Sequence, residues 1–422
     1  MDQHLKIAVV GGGVSGITAA YLLQRKHAVT LYEKNSYIGG HTHTVVIEEG
    51  PDRGTPIDTG FIVMNNRNYP LFSRLLSELG VSTSETDMSF SYYCKTTDLQ
   101  YGSSGLNSLF AQRKNLFHPS FWKLLWEILR FFRKTRRALK MKRLQNITLG
   151  EFIQREGFSA RFAEQYVIPM AAAIWSEPDG VMTEFPMETF ARFFDNHGLL
   201  SVKNHPQWYY VSGGSHTYVN AFLKGFTGTV FTEKAVQSIH RNENSVQLNF
   251  QDGTHETADR VVIAAHADEA LSMLGDPSPD ERRLLSPWRY SRNLIFLHTD
   301  SSFLPPVIQA RSSWNYIRED RNDPKAPITL TYDMNRLQNL KTKNSYCVTL
   351  NPKKKIPERF IIKEMVYTHP EYTFQSLATQ PELKNLNGKR NTCFCGSYFG
   401  YGFHEDAVRS ASAVAELFGI TL

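Results

Sequence analysis

The chain has 422 residues, 41% of them hydrophobic and 21% charged, with a net charge of +6. That length exceeds one ordinary core and calls for about two domains, and the composition excludes a disordered or low-complexity protein. The four cysteines, Cys94, Cys347, Cys393 and Cys395, form neither a C-x-x-C pair nor a zinc spacing, so buried thiols and no metal site are expected.

In chain order, the first apolar run is Ile7-Ala8-Val9-Val10, a buried strand leading into Gly11-Gly12-Gly13-Val14-Ser15-Gly16. Gly11, Gly13 and Gly16 fill the G-x-G-x-x-G spacing. The first glycine permits the tight turn, the second lets backbone approach a pyrophosphate, and the third lets the next helix pack on the strand. A helix from about Val14 to Arg25 then offers free N–H groups and a positive dipole end to phosphates. A second strand, Ala28-Val29-Thr30-Leu31-Tyr32, ends at Glu33, placed to accept hydrogen bonds from a ribose. The first apolar run is thus a nucleotide strand and not a secretion leader, and a reducing, cytoplasmic setting is expected.

After Glu33-Lys34 comes Gly39-Gly40-His41. Two distant segments belong with this start. One is Thr229 to Ile239, Ser245 to Phe250, Asp252-Gly253 and Ala258 to Ala265. The other is Thr392 to Ser397 followed by Gly402-Phe403-His404-Glu405-Asp406. Together they resemble the flavin-containing amine oxidase and phytoene desaturase superfamily. There the ribose-binding Glu is followed by Gly-Gly and usually Arg, a position held here by His41. Gly60 to Asn65, Ala173 to Ser176, His197 to Leu200, Thr331 to Asn335 and Gly402 to Asp406 are similar to a bacterial branch of predicted FAD-binding proteins, often encoded beside cyclopropane-fatty-acid synthases.

The resemblance implies an α/β fold: a Rossmann-like FAD-binding domain with an inserted α+β substrate domain, an amine-oxidase-like two-domain architecture. The FAD domain would comprise 1–85, 206–268 and 386–422. The substrate or cap domain would comprise 86–205, mainly helical, and 269–385, with strand-like runs and loops punctuated by Pro277, Pro279, Pro305, Pro306, Pro324 and Pro327. FAD is expected to be non-covalent. The implied contacts are Gly11, Gly13, Val14, Ser15, Gly16, Glu33, Lys34, Gly39, Gly40 and His41 at the first turn. Gly60, Phe61 and Ile62 would run past the flavin, with Val236 at the adenine. Gly396, Ser397, Phe403, His404 and Glu405 would hold the ribityl and pyrimidine end. Asp58 is expected to pin the turn before Gly60 and not to catalyse.

From Arg113 to Arg143 stand eleven Lys and Arg residues and one acid, Glu127, so the segment carries +10 and the remainder −4. Within Phe121 to Phe132, polar residues at 123, 127, 130 and 134 form one helical stripe among aromatic and aliphatic residues. Twelve residues rise only about 18 Å, too short to span a bilayer. One reading is an interfacial helix on an anionic membrane, which would make the protein peripheral on the inner face. The other is an ordinary helix whose apolar side is core and whose basic flank is solvated. No nucleic-acid motif accompanies the basic run, so no nucleic-acid partner is expected.

For the substrate pocket the candidates are Trp175, His197, Trp208, Tyr209, Trp314, Tyr316 and Tyr332. His404 is the acid/base candidate because it adjoins the flavin turn and titrates near neutrality. No second G-x-G-x-x-G is present, so electrons are expected to pass to oxygen, a quinone or a carrier protein and not to exchange with a dedicated nicotinamide domain. These readings suit an FAD-dependent oxidoreductase acting on a hydrophobic substrate, a membrane-lipid acyl chain. The alternatives are a flavin amine or amino-acid oxidase, and a non-catalytic flavin-bound accessory protein of a lipid-modifying complex. The oligomeric state is left open.

Overall fold

A computed structural model describes residues 4–319 and 328–422; Pro324 and Pro327 lie outside the described residues. A five-stranded parallel sheet is ordered Thr229–Phe231, Ala28–Tyr32, Lys6–Val10, Arg260–Ile263, Thr392–Phe394. Its strands come from three distant stretches of chain. Parallel strands are buried on both faces, and the runs read accordingly: Ile7, Val9, Leu31, Val261, Val262 and Ile263 are all buried. The helices Val14–Leu23 and His404–Glu416 pack on this sheet and on each other. A three-stranded antiparallel meander, Val236–Arg241, Val246–Phe250 and His255–Ala258, flanks it.

The second layer is a seven-stranded sheet. Its order is Ile361–Pro370, Tyr290–His298, Cys347–Leu350, Thr329–Asp333, Trp314–Arg318, Phe90–Cys94, Leu99–Gly102. The stretch 86–205, expected to be mainly helical, therefore contributes two of its strands. Phe90-Ser-Tyr-Tyr-Cys is dense in aromatic residues that suit a pleated, half-buried surface, and Tyr92 stacks on Tyr101 and Tyr316 across the sheet. Helices from the same stretch, including Pro119–Lys140, Ile168–Trp175 and Met187–Asn196, cover this sheet's end and build a core rich in phenylalanine.

The basic helix differs from its sequence reading in length and in facing. It runs 22 residues, Pro119–Lys140. Length alone no longer keeps it from spanning a membrane; its eight charged side chains do, and among the described residues no helix is long and apolar enough to cross one. Of the stripe at 123, 127, 130 and 134, Lys123 is exposed but the other three turn to neighbouring elements. Glu127 is buried and accepts from the backbone N–H and hydroxyl of Ser159. Lys134 pairs with Glu156 at 2.5 Å, and Arg130 donates to the carbonyls of Glu156 and Gly157. The stripe is polar because it caps the end of Leu149–Arg155 and the start of the next helix, whose backbone groups need partners.

Candidate active site

The glycine turn divides its three glycines between packing and openness. A Cβ at Gly11 would stand 2.6 Å from the Ala264 carbonyl oxygen, and one at Gly16 would stand 1.8 Å from the Gly11 oxygen. Protein backbone already fills both positions. A Cβ at Gly13 would meet nothing within 4 Å. Gly13 is also the N-cap of Val14–Leu23, and no side chain caps that helix. An uncapped helix start facing open space is a cradle for an anion. Gly39 and Gly40 cross over it: the Gly39 N–H donates to the Gly12 carbonyl at 2.8 Å, and a Cβ at Gly40 would come within 3.1 Å of the Gly13 Cα. Both have positive φ, +137° and +61°, which side chains disfavour.

Glu33 closes the second strand with its carboxylate already oriented. It accepts from the Gly12 N–H at 2.7 Å and from the Asn35 N–H at 2.8 Å. Lys34 turns outward to Glu269 at 2.5 Å. Beyond it, Lys34, Ser36, Glu233, Lys234 and Ala235 help line a cleft of about 430 Å³ next to Val236, the strand residue expected at an adenine. His41 follows the crossing glycines, half-buried as a residue, and its buried Nε2 has no hydrogen-bond partner among the described residues. The open Gly13, the uncapped helix, the fixed Glu33 and this orphaned nitrogen lie in series, and together they fit a dinucleotide whose pyrophosphate rests on the glycine turn.

At the other end, the first turn of His404–Glu416 points its side chains in three directions. The His404 ring stacks on Phe61 at 3.7 Å and its Nε2 shares a hydrogen bond with the Thr42 hydroxyl at 3.0 Å. Burial lowers its pKa to about 3. It is a neutral hydrogen-bonding ring and not a store of protons near pH 7. The Glu405 carboxylate leaves the site: it accepts from the N–H groups of Leu71 and Phe72 and caps the helix Pro70–Glu78. Only its backbone remains for a cofactor. Asp406 accepts from the N–H groups of Tyr401 and Phe403 and pairs with Arg409, which fixes the turn feeding the helix. Ser410 bonds both the N–H and the carbonyl of Gly396, tying the closing strand and the Gly396-Ser397 turn to the helix. Asp58 accepts from Ser215 N–H and hydroxyl and from Thr44. It pins the turn Gly213-Gly214-Ser215 against the segment before Gly60, and burial raises its pKa to about 6. Ile62 is buried beside it in the core.

The aromatic candidates separate into groups. Phe193 stacks on His197 at 3.9 Å and on Phe403 at 5.1 Å, with Trp175 5.0 Å away and Trp208 6.5 Å from His197. These rings form one wall beside the start of the closing helix. Tyr209 does not join Trp208: successive strand residues point to opposite faces, and Tyr209 packs against the core of the nucleotide domain. Trp314 and Tyr332 meet edge to face at 5.1 Å on neighbouring strands, and the Tyr332 hydroxyl reaches Ser176, next to Trp175. Tyr316 is taken up by structure, since its hydroxyl donates to Asp179, which also pairs with Arg318.

Four residues near the site were not in the sequence-based set. His369 and His266 lie beside His41, with ring centroids at 5.4 and 6.4 Å. Tyr367 donates or accepts at both Thr59 and His43, 2.8 Å each. Glu177 takes a hydrogen bond from Ser291 at 2.5 Å. Tyr367-Thr368-His369 alternates along its strand, which places the first and third on one face and was the available signal. Burial lowers His369 and His197 each to about 4, and His41 well below its usual value, with neighbouring histidines adding to the shift at His41 and His369. Burial raises Glu177 to about 8.

The model of flavin-containing amine oxidoreductases matches residues 14–339 of this chain. An L-amino-acid oxidase of Siganus canaliculatus is 23% identical over 310 residues, covering 70% of this chain and 55% of that protein. The FAD-dependent oxidoreductase pigF of Monascus ruber is 44% identical over 55 residues, 13% of this chain and 11% of that protein. The match thus spans less than two thirds of either relative. Among solved structures, a redesigned putrescine oxidase superposes with a TM-score of 0.71 at 14% identity, covering 98% of each chain. A CLA-producing fatty acid isomerase from P. acnes gives 0.66 at 14% identity, covering 97% of each. These last two show the fold. With the cradle and the family match in agreement, the chain belongs to the flavin-containing amine oxidoreductases, a family of FAD-dependent oxidoreductases, and FAD is its cofactor.

Proposed function

We propose that the protein is an FAD-dependent oxidoreductase whose substrate is uncharged and hydrophobic, the acyl chain of a membrane lipid, which it desaturates, saturates or isomerises. The observation behind this reading is the electrical neutrality of the walls near the closing helix. Burial keeps His41, His197, His369 and His404 deprotonated at neutral pH and keeps Glu177 protonated. The remaining wall is Trp175, Phe193, Trp208 and Phe403, and no lysine is buried among the described residues. An ammonium or carboxylate entering among these rings loses hydration and finds no opposite charge on them, whereas a methylene chain loses nothing. A neutral aromatic wall therefore disfavours charged substrates.

When bound, FAD supplies the hydride or electron step. The chain supplies the rest. The helix start at Gly13 would hold the pyrophosphate and Glu33 the ribose, and the N–H groups and positive dipole end at the first turn of His404–Glu416 would favour negative charge on the cofactor. The aromatic wall excludes water. Electrons from a desaturation leave to oxygen, a quinone or a carrier protein, a saturation takes them from a reduced quinone or carrier protein, and an isomerisation needs no external partner. A second reading, a flavin amine or amino-acid oxidase, is favoured by the L-amino-acid oxidase relative and by the cage-like rings Phe193, His197, Trp208 and Phe403.

Comparing the lipids of cells with and without the gene tests the proposal. The acyl reading predicts changed number or position of double bonds in membrane acyl chains. Unchanged acyl chains together with accumulation of an amine or amino acid in the deleted cells would favour the second reading.

A further inference from the structure

The solvent face of the basic helix has no role in the flavin site, and its make-up is unusual. Trp122, Trp126 and Leu129 are each at least half exposed. They follow one another at helical spacing, and the same face continues through Arg133, Arg137 and Lys140. Phe117, 84% exposed, sits in the preceding turn, which the Trp122 indole anchors by donating to the Leu116 carbonyl at 2.9 Å. Further along, a groove of about 540 Å³ runs between the helix and the segment 200–202. Leu129, Met141 and Val202 are among its apolar lining, and Arg133, Arg137 and Lys140 stand on its wall. Those three cations have no ion pair among the described residues, whereas the cations on the flanks are engaged: Lys134 with Glu156 and Arg136 with Asp195 at 3.5 Å.

We propose that this face docks the protein on an anionic lipid bilayer, with Phe117, Trp122, Trp126 and Leu129 entering the interface and Arg133, Arg137 and Lys140 holding headgroup phosphates over the groove. The argument is complementarity. A surface of large apolar side chains is matched by an apolar medium, and a neighbouring row of unpaired cations by anions; a bilayer of anionic lipid presents both within a few ångströms. A polyanion without hydrocarbon would satisfy the cations and leave the aliphatic members of the face in water. The tryptophans suit the boundary because they carry an apolar body and a polar N–H. Docking rests on this surface alone and holds whichever substrate the flavin site takes.

The test is sedimentation of the FAD-loaded protein with vesicles of zwitterionic lipid, alone or mixed with anionic lipid, across a salt series. The wild type is expected to pellet with the mixed vesicles, at least tenfold less with the zwitterionic ones, and less as salt rises, with a blue shift of tryptophan emission. Trp122→Ala with Trp126→Ala, and separately Arg133→Glu with Arg137→Glu and Lys140→Glu, should each lower binding at least tenfold and leave the flavin spectrum unchanged. Lys353→Glu with Lys355→Glu and Lys384→Glu makes the same change in net charge elsewhere and should lower binding far less. Failure to pellet with anionic vesicles at low salt overturns the proposal. So does equal loss in the control, which would reveal a mere net-charge effect. Binding to a soluble polyanion that the tryptophan variant does not weaken would assign the face to an acidic macromolecule instead.

Discussion

At the scale of the residue, the site turns on which glycine is missing a side chain for the protein and which for the ligand. Gly16 is needed by the fold. The 1.8 Å approach to the Gly11 carbonyl means that Gly16→Ala must push strand and helix apart, at a cost of roughly 3 kcal/mol or more. Gly13 is not needed by the fold, which leaves its missing side chain to the cofactor under this account. Its φ of −73° and ψ of 179° accept a branched residue, and open space surrounds its missing Cβ. Gly13→Val should therefore fold with nearly wild-type stability and emerge colourless, while Gly16→Ala should show lowered thermal stability even with FAD in excess. Absorbance near the flavin bands and a melting curve of each variant separate the two. Retention of FAD at normal affinity by Gly13→Val would remove the pyrophosphate from this turn. The sequence pointed to the triad as a dinucleotide turn, because spacing is a local property. It could not tell the side-chain directions at His404 and Glu405, which depend on where Phe61, Thr42 and the start of Pro70–Glu78 lie, more than 300 positions earlier in the chain.

At the scale of the element, strands that are buried on both faces were the most legible, since Ile7–Val10 and Ala28–Tyr32 announce themselves as apolar runs. The basic helix was legible as a helix, but the direction of its polar stripe was not. A polar stripe on an amphipathic helix ordinarily faces water, but Glu127 here is bound to a neighbouring helix start, a partner that no local pattern reveals. That assignment carries a consequence. Glu127→Ala leaves the half-buried Ser159 N–H and hydroxyl without their acceptor, and should cost about 1 kcal/mol. Glu127→Gln keeps one acceptor oxygen and should cost less. Urea unfolding of the two variants decides the point, and an equal, negligible effect of both would return the stripe to solvent. The strands Phe90–Cys94 and Leu99–Gly102 went unread because their partners, Trp314–Arg318 above all, lie more than 200 residues away.

At the scale of the whole molecule, the dry interior makes stability depend on pH from both sides. The buried histidines have folded pKa values below the ordinary 6.5. The unfolded chain therefore takes up protons first as the medium is acidified. Their contribution is complete above about pH 6.5 and is lost progressively as pH falls toward 4 for His197 and His369 and toward 3 for His404. Glu177 acts in the opposite sense. Its folded pKa of about 8 exceeds the ordinary 4.5, so the unfolded chain gives up that proton first, and stability is lost as pH rises from about 4.5 toward 8. Glu177→Gln keeps an acceptor for Ser291 and removes the titration. Its stability relative to wild type should rise between pH 5 and pH 8, by an amount on the order of 3 kcal/mol. Equal differences at both pH values would mean that Glu177 is not buried as a neutral acid.

The same scale bears on electron supply. The described sheets contain one dinucleotide turn, built by Gly11 to Gly16, so NADH or NADPH alone should bleach the flavin slowly in anaerobic stopped-flow mixing. Rapid bleaching at micromolar nucleotide would make the protein a nicotinamide-linked reductase. What the fold leaves to experiment is the substrate, and the central claim is that a neutral, aromatic-walled site beside FAD takes an acyl chain. The most direct measurement offers the purified, FAD-loaded protein three classes of compound in parallel: vesicles of phospholipid with mixed acyl chains, simple amines, and L-amino acids. Mass spectrometry follows the acyl double bonds, and peroxide and ammonia report amine oxidation. The account predicts altered double bonds in the lipid and no ammonia from the other two. Ammonia and peroxide formed from an amine or an amino acid, with the acyl chains untouched, would contradict it.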